Sequence, residues 1–346
     1  MEDTNIQFKL TDIPSVKHLK AQYNNSQTYI LSKEIDSAVT AAIRLGQPLF
    51  ITGEPGTGKT QLAYKVAQHF GLKDEQGEIR PLIFNTKTTS TAKDLFYMYD
   101  AVRHFRDANR KDGAQHEMME YIELQALGKA IAYTNPADAA KVGIQLDAPR
   151  HSVVLIDEID KAPTDFPNDI LYELENMAFE IKETGEKIKA GEDCRPIVIM
   201  TSNSEKSLPD AFLRRCVFLH IEFPKKDLLI DIVRSKLSPD LSTKTDENGA
   251  EVEKANERLE VLVQHFEEIR DAVKKKRPAT AELIGWIRVL EMEKFLEKNK
   301  IDFSNLTKEQ EIVLGQSYGI LAKNNDDLEI LKKKYLKQTY QPKGKK

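Results

Sequence analysis

The residues most suited to chemistry form one glycine-rich run, Gly53-Glu54-Pro55-Gly56-Thr57-Gly58-Lys59-Thr60. The run fits the pattern G-x-x-x-x-G-K-[ST], in which backbone N–H groups surround a phosphate chain. An apolar run precedes it at Pro48 to Thr52, and a helical pattern follows from Lys59 to Phe70. This strand, loop and helix context is the one that the motif requires. We therefore expect Lys59 to contact the β- and γ-phosphates of a nucleotide and the Thr60 hydroxyl to bind Mg²⁺.

Two adjacent carboxylates, Asp157 and Glu158, come directly after a second apolar run, Ser152 to Ile156. A buried strand would place Asp157 at its C-terminal end beside Thr60, where a hard cation bound to phosphate needs oxygen ligands. Glu158 could then act as a general base toward the attacking water. The alternative is an ordinary strand that ends in surface acids.

Further polar candidates follow a third apolar run, Ile197 to Thr201. Asn203 could hold the attacking water or contact the γ-phosphate, although an Asn after a strand is usually a turn residue. Arg214 and Arg215 come one short helix later, and a planar guanidinium suits the charge that develops on a transferring phosphoryl group. An exposed arginine in a salt bridge is the alternative for both.

The elements that must position these residues alternate between strands and helices up to Pro224. Short buried runs, with further ones at Leu82 to Asn85 and Val217 to Ile221, predict a parallel sheet flanked by helices, an α/β fold. Beyond Pro224 the apolar spacing becomes helical, interrupted by a polar stretch, Ser238 to Asn256, which predicts a loop. The predicted domains are residues 1–224, a helical domain at 225–300, and a helical extension with a basic tail at 301–346.

Composition argues against a nucleic-acid-binding, membrane or disulfide-rich protein. The net charge of -4 gives no reason to expect nucleic acid, whose binding usually requires a strongly basic surface. No apolar run reaches the length of a membrane span, and the N-terminal residues do not resemble a secretory signal. The two cysteines, Cys194 and Cys216, are too few for a disulfide framework. We therefore expect a cytoplasmic protein with reduced cysteines and no membrane partner.

With these motifs in order, the chain resembles the AAA+ superfamily and, within it, the MoxR-type ATPases. The similarity runs from about Tyr29 to Leu290 and depends on three segments: GEPGTGKTQLA, LIDEIDKAP and TSNSEKSLPDAFLRRC. It implies an AAA+ core with an all-α lid, and ATP with Mg²⁺ at the site. It also implies two insertions that line a ring pore in such families. One lies in helix 2 within Thr86 to Arg150, and the other is a hairpin at Phe179 to Lys189, before the sensor 1 segment that contains Asn203.

The resemblance further implies an oligomeric ring, commonly a hexamer, in which Arg215 of one subunit completes the neighbour's site. Such ATPases remodel or activate a protein client, often with a partner that carries a von Willebrand factor A domain. One position departs from the family: Glu282 stands where a sensor 2 arginine is expected, and Arg277 or Arg288 could substitute for it.

Two other functions fit the same motifs. A DNA-directed AAA+ motor or initiator would share the insertions, but the acidic charge balance counts against it. A nucleotide-gated interaction module would bind ATP with little turnover, and the presence of both Glu158 and Arg215 counts against that function.

Overall fold

A computed structural model describes residues 29–109, 117–203, 208–236, 249–297, 301–337 and 339. The chain forms two compact units, which divide between Ile221 and Glu222. The short segment Glu54–Thr57 groups with the second unit, although its neighbours on both sides in the chain belong to the first.

The first unit contains all the strands of the described residues. They are β1 Leu49–Gly53, β2 Leu82–Asn85, β3 Tyr97–Tyr99, β4 Ile122–Leu124, β5 Val153–Asp157, β6 Ala178–Ile181, β7 Glu186–Lys189, β8 Ile197–Thr201 and β9 Val217–Ile221. Five form one parallel sheet in the order β2-β5-β8-β1-β9. The pairs β3-β4 and β6-β7 are separate antiparallel ribbons. The five predicted strands and the predicted hairpin are confirmed.

The helices of this unit cover the sheet. They are α1 Lys33–Leu45, α2 Lys59–Phe70, α3 Ala101–Ala108, α4 Ala126–Tyr133, α5 Pro136–Lys141, α6 Phe166–Asp169, α7 Leu171–Asn176 and α8 Asp210–Leu213. Alternate residues of each strand point to opposite faces. In β5, for example, Val154 and Ile156 join one buried cluster while Val153 and Leu155 join another. Burial on both faces explains why these strands are continuous apolar runs.

The second unit is entirely helical where it is described. Its helices are α9 Lys226–Lys236, α10 Gly249–Ala272, α11 Thr280–Met292, α12 Lys308–Leu321 and α13 Asn325–Tyr335. Apolar side chains from 225–300 and from 301–346 pack into one cluster around Trp286 and Tyr318. The predicted α/β class, a parallel sheet flanked by helices followed by an all-α region, is confirmed. None of the described helices is long and apolar enough to cross a membrane.

The prediction of a polar loop at Ser238 to Asn256 is wrong in its second half, because α10 begins at Gly249. Residues 237–248 lie outside the described residues, as do Lys343, Lys345 and Lys346 of the predicted basic tail. Apolar spacing begins only at Leu259 in this helix, so its first turns carry no signal of a buried face.

His265 lies inside the helical core and is 2% exposed. Its ring stacks on Phe303 at 3.7 Å between centroids, and its Nε2 forms a 3.0 Å hydrogen bond with the Tyr318 hydroxyl. Burial, reinforced by the charge of Lys334, lowers the pKa of His265 to about 3. Glu268, at 3.9 Å, is the nearby carboxylate. The folded core therefore contains a neutral imidazole at every pH at which the protein is ordinarily handled.

We predict that this imidazole makes the helical unit sensitive to acid. The unfolded ring takes up a proton near pH 6.5. The folded ring does not until about pH 3, so the free energy of unfolding falls as the pH drops through this window. The slope is up to about 1.4 kcal/mol per pH unit. The measurement is urea unfolding followed by the fluorescence of Trp286, the only tryptophan, which is buried in the same core.

His265→Gln should give a flatter dependence between pH 6.5 and 4, because glutamine can replace the hydrogen bond to Tyr318 but does not titrate. His151→Gln, at an exposed histidine of the first unit, serves as the control and should match the wild type. Parallel curves for wild type and His265→Gln would refute the prediction.

Candidate active site

The glycine-rich run forms the loop between β1 and α2, as its sequence predicts. Thr57 closes a tight turn within it, since its hydroxyl donates to the Glu54 carbonyl oxygen at 2.9 Å. Gly58 has a φ of +93° and is the N-cap of α2, and a Cβ at this position would lie 3.0 Å from the Tyr29 ring. Glycine is therefore required here by backbone conformation and by space. The N–H groups of the first turn of α2 are left for an anion.

Lys59 is the first residue of α2, and its side chain is held beneath the loop. The ammonium group donates to the Gly53 carbonyl oxygen at 2.8 Å and to Asn203 Oδ1 at 2.9 Å. Lys59 is 7% exposed. Burial lowers the pKa of Lys59, while Asp157, Asp160 and Glu158 act in the opposite direction. The structure thus brings Lys59 and Asn203 together, and a phosphate oxygen would compete with these two acceptors for the ammonium.

Thr60 and Asp157 form the second half of this cluster. The Thr60 hydroxyl lies 3.0 Å and 3.2 Å from the two carboxylate oxygens of Asp157. One hydroxyl and one carboxylate are oxygen donors of the kind Mg²⁺ takes when phosphates and water supply its remaining ligands. The described residues contain no group of three or more His, Cys, Asp and Glu side chains able to hold a metal by themselves. The donor set therefore fits Mg²⁺ that arrives with a nucleotide.

Thr201, the last residue of β8, connects the two acidic residues of the site. Its buried hydroxyl donates to Asp157 Oδ1 and accepts the backbone N–H of Glu158 at 2.9 Å. Sequence reasoning used Thr201 only as the end of a strand and missed this role. The available signal was a hydroxyl residue at the C-terminal end of the strand that neighbours Asp157 in the sheet.

Glu158 follows the end of β5 in a left-handed conformation, with a φ of +55°. Such a conformation is costly for a residue with a Cβ and is maintained only where tertiary contacts enforce it. The bond from its N–H to Thr201 is one such contact. The carboxylate forms an ion pair with Lys161 and is about two-fifths exposed. Glu158 is therefore accessible, and it must leave Lys161 to act as a base.

Arg215 lies away from this cluster. Its guanidinium pairs with Glu175 and donates to the Ala211 carbonyl oxygen at 2.9 Å. Two residues later β9 begins with Val217, which pairs with Leu49 at the start of β1. Asp157 instead is the C-terminal residue of β5, and Lys59 and Thr60 follow the C-terminal end of β1. Arg215 therefore lies at the N-terminal ends of the parallel strands. The other candidate site residues, Lys59, Thr60 and Asp157, lie at the C-terminal ends. Arg214 is exposed.

The candidate sensor 2 residues belong to the second unit. Glu282 Oε2 accepts the backbone N–H of Ala279 at 3.2 Å, so this carboxylate caps the start of α11. Arg277 is exposed, and Arg288 donates to the Lys236 carbonyl oxygen at 3.1 Å. Helix capping is therefore a sufficient reason for glutamate at position 282.

The two predicted insertions contact each other. Glu183, in the turn between β6 and β7, pairs with Lys93 at 2.7 Å and accepts the Tyr97 hydroxyl at 2.8 Å. Rings of Phe96 and Phe179 stack at 5.1 Å beneath these polar contacts. The hairpin and the β3-β4 ribbon therefore form one structural element. Residues 110–116, inside the longer insertion, lie outside the described residues.

Comparison with known families matches residues 48–216 to the AAA domain, dynein-related subfamily. No curated protein gives a match. Among solved structures, a RuvB mutant from Thermotoga maritima is similar at 14% identity, with a TM-score of 0.43, over 83% of this chain and 68% of that chain.

We predict that the Thr201 hydroxyl is needed for turnover rather than for nucleotide binding. Thr201→Val removes both of its hydrogen bonds, so Asp157 and Glu158 lose their common support. With Glu158 as the base and Asp157 as a metal ligand, as the sequence predicts, the kcat for ATP hydrolysis should fall about ten-fold or more. Thr201→Ser keeps the hydroxyl and should retain most activity. Equal rates for Thr201→Val and wild type would contradict this role.

Proposed function

We propose, from the match of residues 48–216 to the AAA domain, that this chain is a MoxR-type ATP hydrolase. In this proposal it acts as a ring, commonly a hexamer, and uses hydrolysis to remodel or activate a protein client. The main supporting observation is the cluster at the C-terminal edge of the sheet. There Lys59 meets Asn203, and Thr60 meets Asp157, within hydrogen-bond distance.

In this proposal several groups of the chain each take one role in the in-line attack of water on the γ-phosphorus of ATP. The loop amides and Lys59 would bind the β- and γ-phosphates. Thr60 and Asp157 would hold the Mg²⁺, which would supply charge neutralisation on the phosphate oxygens. Asn203 orients the attacking water. Glu158 accepts a proton from that water as its oxygen bonds to the γ-phosphorus, and the bond to the β–γ bridging oxygen breaks. ADP and phosphate are the products.

The position of Arg215 supports a ring. Leu49 pairs with Val217 and Gly53 with Ile221, so Arg215 precedes β9 at the start of the strands. Four residues of strand separate the two edges by about 13 Å, at about 3.3 Å per residue. This span places the guanidinium beyond reach of a γ-phosphate bound at the opposite edge of its own sheet. We propose that Arg215 acts on the site of a neighbouring subunit.

Exposed side chains near the β3-β4 ribbon support the proposal of a protein client. Met98 of β3 and Val102 and Phe105 of α3 are between half and three-quarters exposed. Val102 and Phe105, three residues apart, lie on one face of the helix. Exposed apolar side chains that lie close together in the chain suit contact with another polypeptide. The resemblance to MoxR-type ATPases adds to the proposal a partner with a von Willebrand factor A domain. A cytoplasmic location remains the expectation from composition.

Glu158→Gln tests the hydrolytic assignment. Glutamine keeps the shape of the side chain but cannot accept the proton, so we expect kcat to fall by about a hundred-fold or more with ATP binding retained. Glu34→Gln, at an exposed acid in α1, is the matched control and should behave as wild type. An unchanged rate in Glu158→Gln, measured as steady-state phosphate release, would sink the assignment.

Arg215→Ala tests the shared site. We expect lost turnover with nucleotide binding largely retained, whereas Arg214→Ala should retain activity if Arg215 is the acting residue. Mixing Arg215→Ala with Glu158→Gln subunits should restore some activity. An intact Glu158 in the first then meets an intact Arg215 from the second. Absence of any recovery in mixed assemblies would count against a site shared between subunits.

A further inference from the structure

We infer that the C-terminal helices position the phosphate-binding loop. The corner between α12 and α13, Lys323 to Asp327, fixes the segment Lys274 to Glu282, and this segment with Arg270 contacts Glu54 and Gly56. We call these the C-terminal corner and the loop-contact segment. All of these residues belong to the second unit, with which Glu54–Thr57 groups. The inference rests on the proposed function and extends it to a part of the chain that its motifs leave without a role.

Arg270, near the end of α10, contacts the phosphate-binding loop directly through Glu54. It is 7% exposed, and its guanidinium donates to Glu54 Oε2 at 2.8 Å. The same guanidinium donates to the Pro278 carbonyl oxygen and lies 3.4 Å from the centroid of the Phe223 ring. A guanidinium fixed by a carbonyl and a ring has little freedom, so its bond to Glu54 is directional. Arg270 thereby ties Glu54 to the loop-contact segment.

Gly56 lies against the same segment. Its φ is +78°, and a Cβ at this position would lie 2.5 Å from the Cβ of Ala279. The next residue, Thr280, is buried, and its hydroxyl oxygen has no hydrogen-bond partner within the described residues. The loop and the start of α11 are therefore in van der Waals contact, and movement of either must displace the other.

The C-terminal corner holds this segment through a buried carboxylate. Asp327 is fully buried and accepts the N–H of Lys274 at 3.0 Å, with further backbone bonds from Lys275 and Lys276. Burial alone would raise the pKa of Asp327, but the bonds from Asn324 and from these amides hold it below its ordinary value. The carboxylate is therefore charged, and it fixes three successive peptide groups after the end of α10.

Two ion pairs reinforce the corner. Lys275 pairs with Asp326, and Lys323 Nζ lies 3.7 Å from Glu282, the residue that caps α11 beside Ala279. Contacts thus run without a break from the C-terminal corner, through the loop-contact segment and Arg270, to Glu54 and Gly56. Loosening the corner should free the loop and weaken nucleotide binding. It should change the chemical step less, because the loop contacts phosphate before and during the reaction.

The test measures the affinity of the full chain for a fluorescent ATP analogue with Mg²⁺, together with KM and kcat for ATP. Asp327→Asn weakens the C-terminal corner, and Arg270→Met removes the hydrogen bond to Glu54. We expect each to raise Kd and KM by about ten-fold, as for a lost hydrogen bond to a charged group, with a much smaller change in kcat. The double variant should be no worse than the single ones, because both interrupt one series of contacts.

Glu311→Gln is the matched control. Glu311 is a buried carboxylate of α12 that accepts the backbone N–H groups of Lys337 and Thr339, each at 2.9 Å. It holds the C-terminal residues rather than the loop-contact segment, so its loss should cost stability without changing Kd. An equal rise in Kd for Glu311→Gln and Asp327→Asn would reduce the effect to general destabilisation and overturn the inference.

If Asp327→Asn does not fold, the double variant Lys275→Ala with Lys323→Ala removes the surface ion pairs of the corner and should raise Kd by about two-fold to three-fold. A wild-type Kd in a folded corner variant overturns the inference. A wild-type chain that binds no nucleotide overturns the proposed function instead, so the two failures are distinguishable.

Discussion

The carboxylate of Asp157 is the point at which the elements of the candidate site meet. It accepts hydrogen bonds from Thr60 in α2 and from Thr201 in β8, and it ends β5 itself. These three elements converge because the sheet is parallel and β8 lies between β5 and β1. In a parallel sheet the carboxyl ends of neighbouring strands share one edge, where ligands of such folds bind. A different strand order would leave the same motifs in the sequence but scatter their side chains.

The same parallel order separates Arg215 from the candidate site around Asp157. A residue that precedes β9 must lie at the amino edge of the sheet, and Arg215 does so, paired with Glu175. Under the proposed function, one subunit carries two incomplete halves of a catalytic arrangement at opposite ends of the strands. Head-to-tail association is the geometry that joins such halves, and it closes into a ring when the rotation between neighbours permits.

Local patterns in the sequence predicted the sheet and the residues that meet at the candidate site. Buried parallel strands are short apolar runs, and Lys59, Thr60 and Asp157 follow such runs, so their shared edge follows from topology. Contacts between residues distant in sequence were missed. Thr201 depends on the register of β8 beside β5, and the β3-β4 ribbon joins segments on either side of residues 110–116. Arg270 reaches Glu54 across 216 positions of sequence. Glu282 stands where the family pattern has an arginine, and its hydrogen bond to the N–H of Ala279 at the start of α11 gives a reason for glutamate there.

The backbone of Glu158 has a consequence for how this site could change over evolutionary time. A non-glycine residue at a φ of +55° costs on the order of 1 kcal/mol or more. Glycine would relieve that strain, so at this position the most stable residue and the residue with a carboxylate are different. Selection for stability alone would remove the proposed base, and a copy of this chain with glycine at this position would keep its fold without the carboxylate. Glycine after the aspartate of β5 would therefore be a readable mark of a relative that binds nucleotide without hydrolysing it.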